Sequence, residues 1–253
     1  MASTKAIKKI TTAPENKIAT AKEDTPVIEE KDNSQPNDES TANDHPEFRA
    51  VGIIKGEVKF HDDDKKNPLS IVLCNKEYGI HCATRHFAAL TGLKKVIAKT
   101  GETTQRLIVY PKVMHFPKRD EPHRLWFQLI GFEIGNYENT ISHDLKDNEF
   151  KICGLWQFIP VCRFPCISVF LNFKQERLDI LKASDDPATS AKFMKTNHIP
   201  VLWRDAPIRA FRYNPRAGKE QGHPMFVQIK AVFLPERDAF AFKVLLPAGV
   251  EID

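Results

Sequence analysis

Apolar and polar positions alternate along most of the chain after Phe48, and one stretch shifts to a helical period. Residues 50–60, within "FRAVGIIKGEVKF", predict a strand that the charged turn "HDDDKKNP" ends. Residues 69–74 and 78–82 predict short strands around "NKE". In "TRHFAALTGLKKVIAKTG", Phe87, Leu90, Leu93 and Ile97 fall on one helical face. Thr84 is the expected N-cap of that helix and Gly101 its stop. "QRLIVYPKV" and "HRLWFQLIGFEI" then read as strands.

The second half reads similarly. Residues 151–162 and 166–173 predict strands, with Pro160 and Pro165 marking an edge, a bulge or an early turn. "KQERLDILKA" and "PATSAKFMKT" read as helical. "IPVLWRDAPIRAFRY", "MFVQIKAVFLPE" and "AFAFKVLL" read as strands.

The halves share sequence. "FRAVGI" matches "FKICGL" and "HRLWFQLIGF" matches "HPMFVQIKAV", pairing His123 with His223 and Gln128 with Gln228. Between them "SIV" lies near "SVF" and "LIVYPK" near "IPVLWR", in the same order. Four ordered matches predict a duplicated unit of about 100 residues. Three strands, a helix and two strands is the element order of the OB-fold, a small Greek-key barrel. The expected class is therefore mainly β (α+β). It would comprise tandem OB-fold-like small barrels at residues 47–147 and 148–253, each with one or two helices, after a disordered tail at residues 1–46. One larger β-sandwich with helices at its ends, or two unrelated α+β units, remain open. On "FRAVGIIKGEV", "TQRLIVYPK", "EFKICGLWQFIPVC" and "FVQIKA", the chain from Phe48 resembles a cyanobacterial family of uncharacterised proteins. The resemblance implies no activity.

Composition separates the tail from the body. Residues 1–47 carry six Lys and no Arg against ten Asp plus Glu, whereas residues 48–253 carry 31 Lys plus Arg against 23 Asp plus Glu. The tail is poor in aromatics and cannot bury enough apolar surface to offset its ordering entropy. The basic body points to a polyanionic partner. Five irregularly spaced cysteines do not form a disulfide framework. No apolar run reaches a membrane span, and the N-terminus lacks a secretory apolar segment. A cytoplasmic, reduced protein without a membrane partner is expected.

The loop between the expected last two strands of each unit is basic and aromatic. In the first it holds Lys112, His115, Phe116, Lys118, Arg119, His123 and Arg124; in the second, Arg209, Phe211, Arg212, Tyr213, Arg216 and Lys219. Cations there can neutralise phosphates, and rings can stack on unpaired bases. Trp126 shares a strand face with Arg124, and Trp203 neighbours Arg204. Arg163 and Phe164 stand at the tip of "CRFPC", between the first two strands of the second unit. Of the six rings on expected strands, Tyr110, Trp126, Trp156, Phe158, Trp203 and Phe211, most are expected in the core and one or two exposed.

Metal ligation, a cofactor and catalysis are not expected. Cys162-x3-Cys166 is a single pair with Pro165 inside it, and adding Cys153 and the distant His198 does not supply a second pair. These cysteines read as core residues. "HDDDKK" lacks EF-hand spacing, and HExxH, GxSxG and GxxxxGK[ST] are absent. The sequence thus reads as a non-enzymatic binder of single-stranded RNA or DNA. The alternative is a protein-interaction module whose tail engages a partner.

Overall fold

The computed structural model describes residues 47–61, 68–117, 121–133, 144–171, 195–214, 216–217 and 221–247. Ten strands and one helix follow in the order β1 Arg49–Phe60, β2 Leu69–Leu73, β3 Lys76–Cys82, α1 Phe87–Thr100, β4 Thr104–Met114, β5 Arg124–Phe132, β6 Glu149–Gln157, β7 Cys166–Phe170, β8 Thr196–Leu202, β9 Met225–Leu234 and β10 Ala239–Leu245. The chain is mainly β, as its alternation predicts.

The first five strands close into a barrel. β1 pairs antiparallel with β2 and with β4, β2 with β3, β4 with β5, and β3 runs parallel to β5. The β2–β3 connection is a two-residue turn with Cys74 and Asn75 both at positive φ, 47° and 61°. Such a turn follows the right-handed twist of its strands. The parallel β3–β5 pair requires a long crossover, and α1 lies on it. Leu90 and Leu93 of α1 enter the core, and Gly101 ends the helix at φ 71° with its N–H on the Ile97 carbonyl. Two expectations about this helix are corrected. Thr84 begins a 3-10 turn, so the N-cap is His86, with no side-chain bond to the helix; and Phe87 is 59% exposed.

In β6 to β10, β6 pairs with β7 and β9, β7 with β8, β9 with β10, and β8 runs parallel to β10. This is the cyclic order of the first five. An antiparallel β1–β6 pairing joins the two sets into one ten-stranded sheet. One apolar core runs through both. Phe127 of β5 and Phe150 of β6 stack at 6.1 Å, and Phe233 of β9 meets Tyr78 and Phe127 edge-on at 5.4 and 5.3 Å. The Tyr78 hydroxyl donates to the Pro235 carbonyl, and Asp238 holds it too, both at 2.8 Å. Asn197 of β8, 6% exposed, donates to the Pro111 carbonyl at 2.9 Å and accepts the Val113 N–H at 3.1 Å.

The pairing corrects two of the four sequence matches. "FRAVGI" and "FKICGL" do lie on corresponding strands, β1 and β6, as "SIV" and "SVF" lie on β2 and β7. However, "IPVLWR" starts in β8, which corresponds to β3 rather than to the β4 of "LIVYPK". "HPMFVQIKAV" includes β9, which corresponds to β4 rather than β5. His223 is therefore not the counterpart of His123. The β1–β6 match is also four residues out of register. Glu57 faces Val72 as Leu155 faces Ser168, so Gly154 corresponds to Gly56 and not to Gly52. The two glycines share a constraint: a Cβ would lie 2.3 Å from the Val72 carbonyl oxygen at Gly56, and 2.4 Å from that of Ser168 at Gly154. An even register shift preserves which face each side chain takes, so the sequence match does not reveal it.

The strand expected over residues 199–213 stops at Leu202. Beyond it the chain is irregular, with one isolated bridge between Phe211 and Gln157. The strand expected over residues 151–162 stops at Gln157. The expected helix at residues 174–183, most of that at 187–196, and the tail lie outside the described residues; Thr196 already begins β8. No helix among the described residues is long and apolar enough to cross a membrane.

Candidate functional site

A run of clefts crosses the ends of β6, β8 and β10. The first, about 850 Å³, is walled by Trp156, Phe158 and Trp203 and carries Arg204, Arg209 and Arg212. Through Pro165, Trp203 and Arg204 it continues into a second of about 670 Å³, which adds Phe164, Arg237 and Phe242. Phe164 and Arg237 lead into a third of about 330 Å³, lined also by Arg163 and His123.

Local structure fixes these groups. The segment after β8 leaves the sheet at Leu202. It is instead tied to β6. The Trp156 indole N–H donates to the Ile208 carbonyl at 3.0 Å, and the Phe158 N–H to the Phe211 carbonyl at 2.7 Å. Arg209 and Arg212 are thereby held beside the rings, and the Arg212 guanidinium lies 4.1 Å from the Phe158 ring centroid. Trp203 stacks on Phe242 with centroids 4.2 Å apart and planes 4° from parallel, and its other neighbour is Trp156 at 5.4 Å. Arg204, Arg209, Arg212 and Arg237 are exposed, with Asp205 the acid nearest in sequence on the same walls. Cations beside half-buried rings can neutralise phosphate and stack on a base.

A larger cleft of about 1430 Å³ lies over β2 and β3 of the closed barrel, and its charge is mixed, with Lys76 and Arg124 against Glu77, Glu121 and Asp238. Lys76 pairs with Asp238 at 2.5 Å, His61 lies beside Ser70 and Glu77, and Glu121 faces the same space as Arg124. The Ser70 hydroxyl bond to Glu77, ahead of the Lys59 and His61 charges, holds the Glu77 carboxyl below the usual carboxylate range despite its desolvation.

Between these clefts two thiols and an imidazole converge. The ligand atoms of His115, Cys162 and Cys166 lie within 4.8 Å of one another, and both cysteines are buried. His115 Nε2 lies 2.8 Å from the His198 carbonyl, and His123 Nε2 lies 2.6 Å from the Asp238 carbonyl. A carbonyl only accepts, so both Nε2 atoms donate, and in the neutral form of each ring Nδ1 carries the lone pair. The His115 and His123 rings are 5.3 Å apart. Hydrogen bonding from Cys166, opposed by burial and aided by His115 and His123, holds the Cys162 thiol well below its ordinary value. Cys166 keeps its proton and is pushed up. Burial and the neighbouring His115 push His198 down to about 4, while its Nδ1 meets the fully buried Ser168 hydroxyl at 2.7 Å.

The expected binding residues divide among these places. Trp203, Arg204, Arg209 and Arg212 share the arginine-rich cleft, and Arg163 and Phe164 border its continuation. Phe211 is half-buried behind it, while Tyr213 is 67% exposed and Arg216 is exposed. Phe116, Arg124 and Trp126 line the cleft of mixed charge. Lys112 is half-buried beside Tyr110 and Gln128; burial, then the Arg85 charge, lowers its pKa. His115 and His123 belong with the thiols. Lys118, Arg119 and Lys219 lie outside the described residues. The two basic loops do not occupy equivalent places: residues 115–123 connect β4 to β5, whereas residues 203–224 connect β8 to β9. Arg237 and Phe242 escaped the sequence reading because only the β8–β10 pairing, with Phe240 opposite Val201, brings them to Trp203. His115 escaped as a thiol neighbour because its loop reads equally well as a phosphate-binding one.

No family model matches the chain, and no curated protein matches it.

Proposed function

We propose that the protein binds single-stranded nucleic acid, without catalysing a reaction, through two OB-type barrels made of β1–β5 and β6–β10. The recurrence of one cyclic pairing order in both sets of strands supports this reading. The observation that carries it is the arginine-rich cleft at Trp203. OB-folds bind oligonucleotides over their second and third strands, between the loop joining strands one and two and the loop joining strands four and five. In β6–β10 those elements are β7, β8, residues 158–165 and the turn at Pro235–Arg237. The continuous cleft draws Phe164 and Pro165 from the first loop, Leu202 and Trp203 from the end of β8, and Arg237 from the turn. Its arginines would neutralise phosphates while the exposed Phe164 ring, and the parts of Phe158 and Trp203 left open by Arg212 and Phe242, meet unpaired bases. The corresponding cleft of β1–β5 holds paired charges of both signs and is the weaker half of the interface.

Fluorescence anisotropy with labelled mixed-sequence DNA and RNA single strands tests this. Affinity should fall steeply with salt, duplexes should bind more weakly, and Trp203→Ala should lose affinity without changing the salt slope. Absent or salt-independent binding overturns the proposal. A stoichiometric protein partner that survives nuclease and high salt would point to the interaction-module alternative.

A further inference from the structure

We infer that Cys162, Cys166 and His115 form a binding site for a zinc ion, which clips the loop between β6 and β7 to the end of β4. This inference does not rest on the nucleic-acid reading.

Three observations lead to it. First, two thiols and an imidazole are the ligand types that zinc prefers, and they converge although the histidine comes from the other set of strands. Second, the distances suit one ion. With zinc–sulfur bonds of about 2.3 Å and tetrahedral angles, two thiolates on one ion stand about 3.8 Å apart. The three ligand atoms lie within 4.8 Å of one another, so an ion would draw them together by up to about an ångström through side-chain rotation. Third, the imidazole is oriented for the task. The His198 carbonyl takes the Nε2–H of His115 at 2.8 Å, which fixes the tautomer with Nδ1 as the ligand atom. A backbone carbonyl behind a ligating histidine is a recurrent feature of metal sites. His123, likewise held at Nε2 by the Asp238 carbonyl, has its ring 5.3 Å from that of His115 but is not among the three converging ligands, which leaves the fourth position open.

The physical consequence is local. Arg163 and Phe164 lie between the two cysteine ligands. An ion would bind this tip to the chain at His115, and metal binding free energy acts as folding free energy for the segment it closes.

The test uses the full chain, reduced and stripped of metal with a chelator, then titrated with Zn²⁺ alone. One equivalent should protect two of the five thiols from a chromogenic disulfide reagent. Co²⁺ in its place should give thiolate-to-cobalt charge-transfer absorption and the intense visible bands of a tetrahedral site. Cys162→Ser and His115→Asn should lose both signals, whereas Cys74→Ser and Cys153→Ser should keep them. Lack of thiol protection in the wild-type chain, an unchanged cobalt spectrum in Cys162→Ser, or a Cys162–Cys166 disulfide in protein kept under reducing conditions would each overturn the assignment. If Cys162→Ser fails to fold, the wild-type cobalt spectrum and thiol count still decide.

Discussion

Asn197 offers the sharpest test of how the two sets of strands are held together. The β1–β4 ladder ends at Gly52 opposite Val109, so β4 continues without its β1 partner. There the buried Asn197 side chain takes the place of a strand, accepting the Val113 N–H at 3.1 Å and donating to the Pro111 carbonyl at 2.9 Å. Asn197→Ala removes both bonds and leaves two backbone groups without partners where Asn197 itself is 6% exposed. Each buried polar group left unmet costs about 1–3 kcal/mol, so the loss of two should be about 2–6 kcal/mol. Urea unfolding followed by tryptophan fluorescence measures it, with an unchanged m-value as the sign that the unfolded state is unaffected. Asn214→Ala, an exposed control, should stay within about 0.5 kcal/mol. Asn197→Asp should be no better than Ala at neutral pH, because a carboxylate cannot donate to the Pro111 carbonyl. A cost below about 1 kcal/mol for Asn197→Ala would refute the reasoning.

Further predictions concern the interface, the strands and pH. The Arg204→Glu/Arg212→Glu double variant should lower the slope of log affinity against log salt by about 1.4, at ~0.7 per phosphate contact on a single strand. Lys95→Glu, exposed on α1, should leave that slope unchanged in the same anisotropy titration. Gly56→Ala and Gly154→Ala should each cost about 1–3 kcal/mol in urea unfolding, because the added Cβ meets backbone that cannot swing aside. For Glu149, burial alone would raise the pKa, but the Lys243 ammonium and the Lys146 N–H outweigh it and hold the carboxyl below its ordinary 4.5. Its stabilisation is therefore complete above that value and is lost as pH falls towards the lower folded-state pKa. Glu149→Gln should flatten this acid limb in unfolding measured against pH.

The alternation of residues 50–60 located β1 and its inward face, because a period of two needs only local sterics and solvent contrast. The spacing of Leu90 and Leu93 located α1, and Gly101 supplied its end for a local reason, a left-handed φ that few residues tolerate. Phe164 and Arg163 were legible as a loop tip because prolines and charges punctuate the chain nearby. Cys153, read as a core residue, is 3% exposed.

Partnership was not legible. Alternation says which face a strand buries but not which strand lies beside it, so β9 matched β5 in sequence while standing in the place of β4. The same limit hid the two side-chain gatherings that matter for function. Trp203 meets Phe242 only because β10 runs parallel to β8, and His115 meets Cys162 and Cys166 only because the end of β4 reaches the loop before β7. The sequence alone determined the elements, their faces and the basic character of the body, since these follow from local backbone sterics and from composition. Tertiary structure decided the strand order, the arginine-rich cleft and the thiol–imidazole cluster, since these depend on closing long loops around a shared core, a free energy summed over the whole chain.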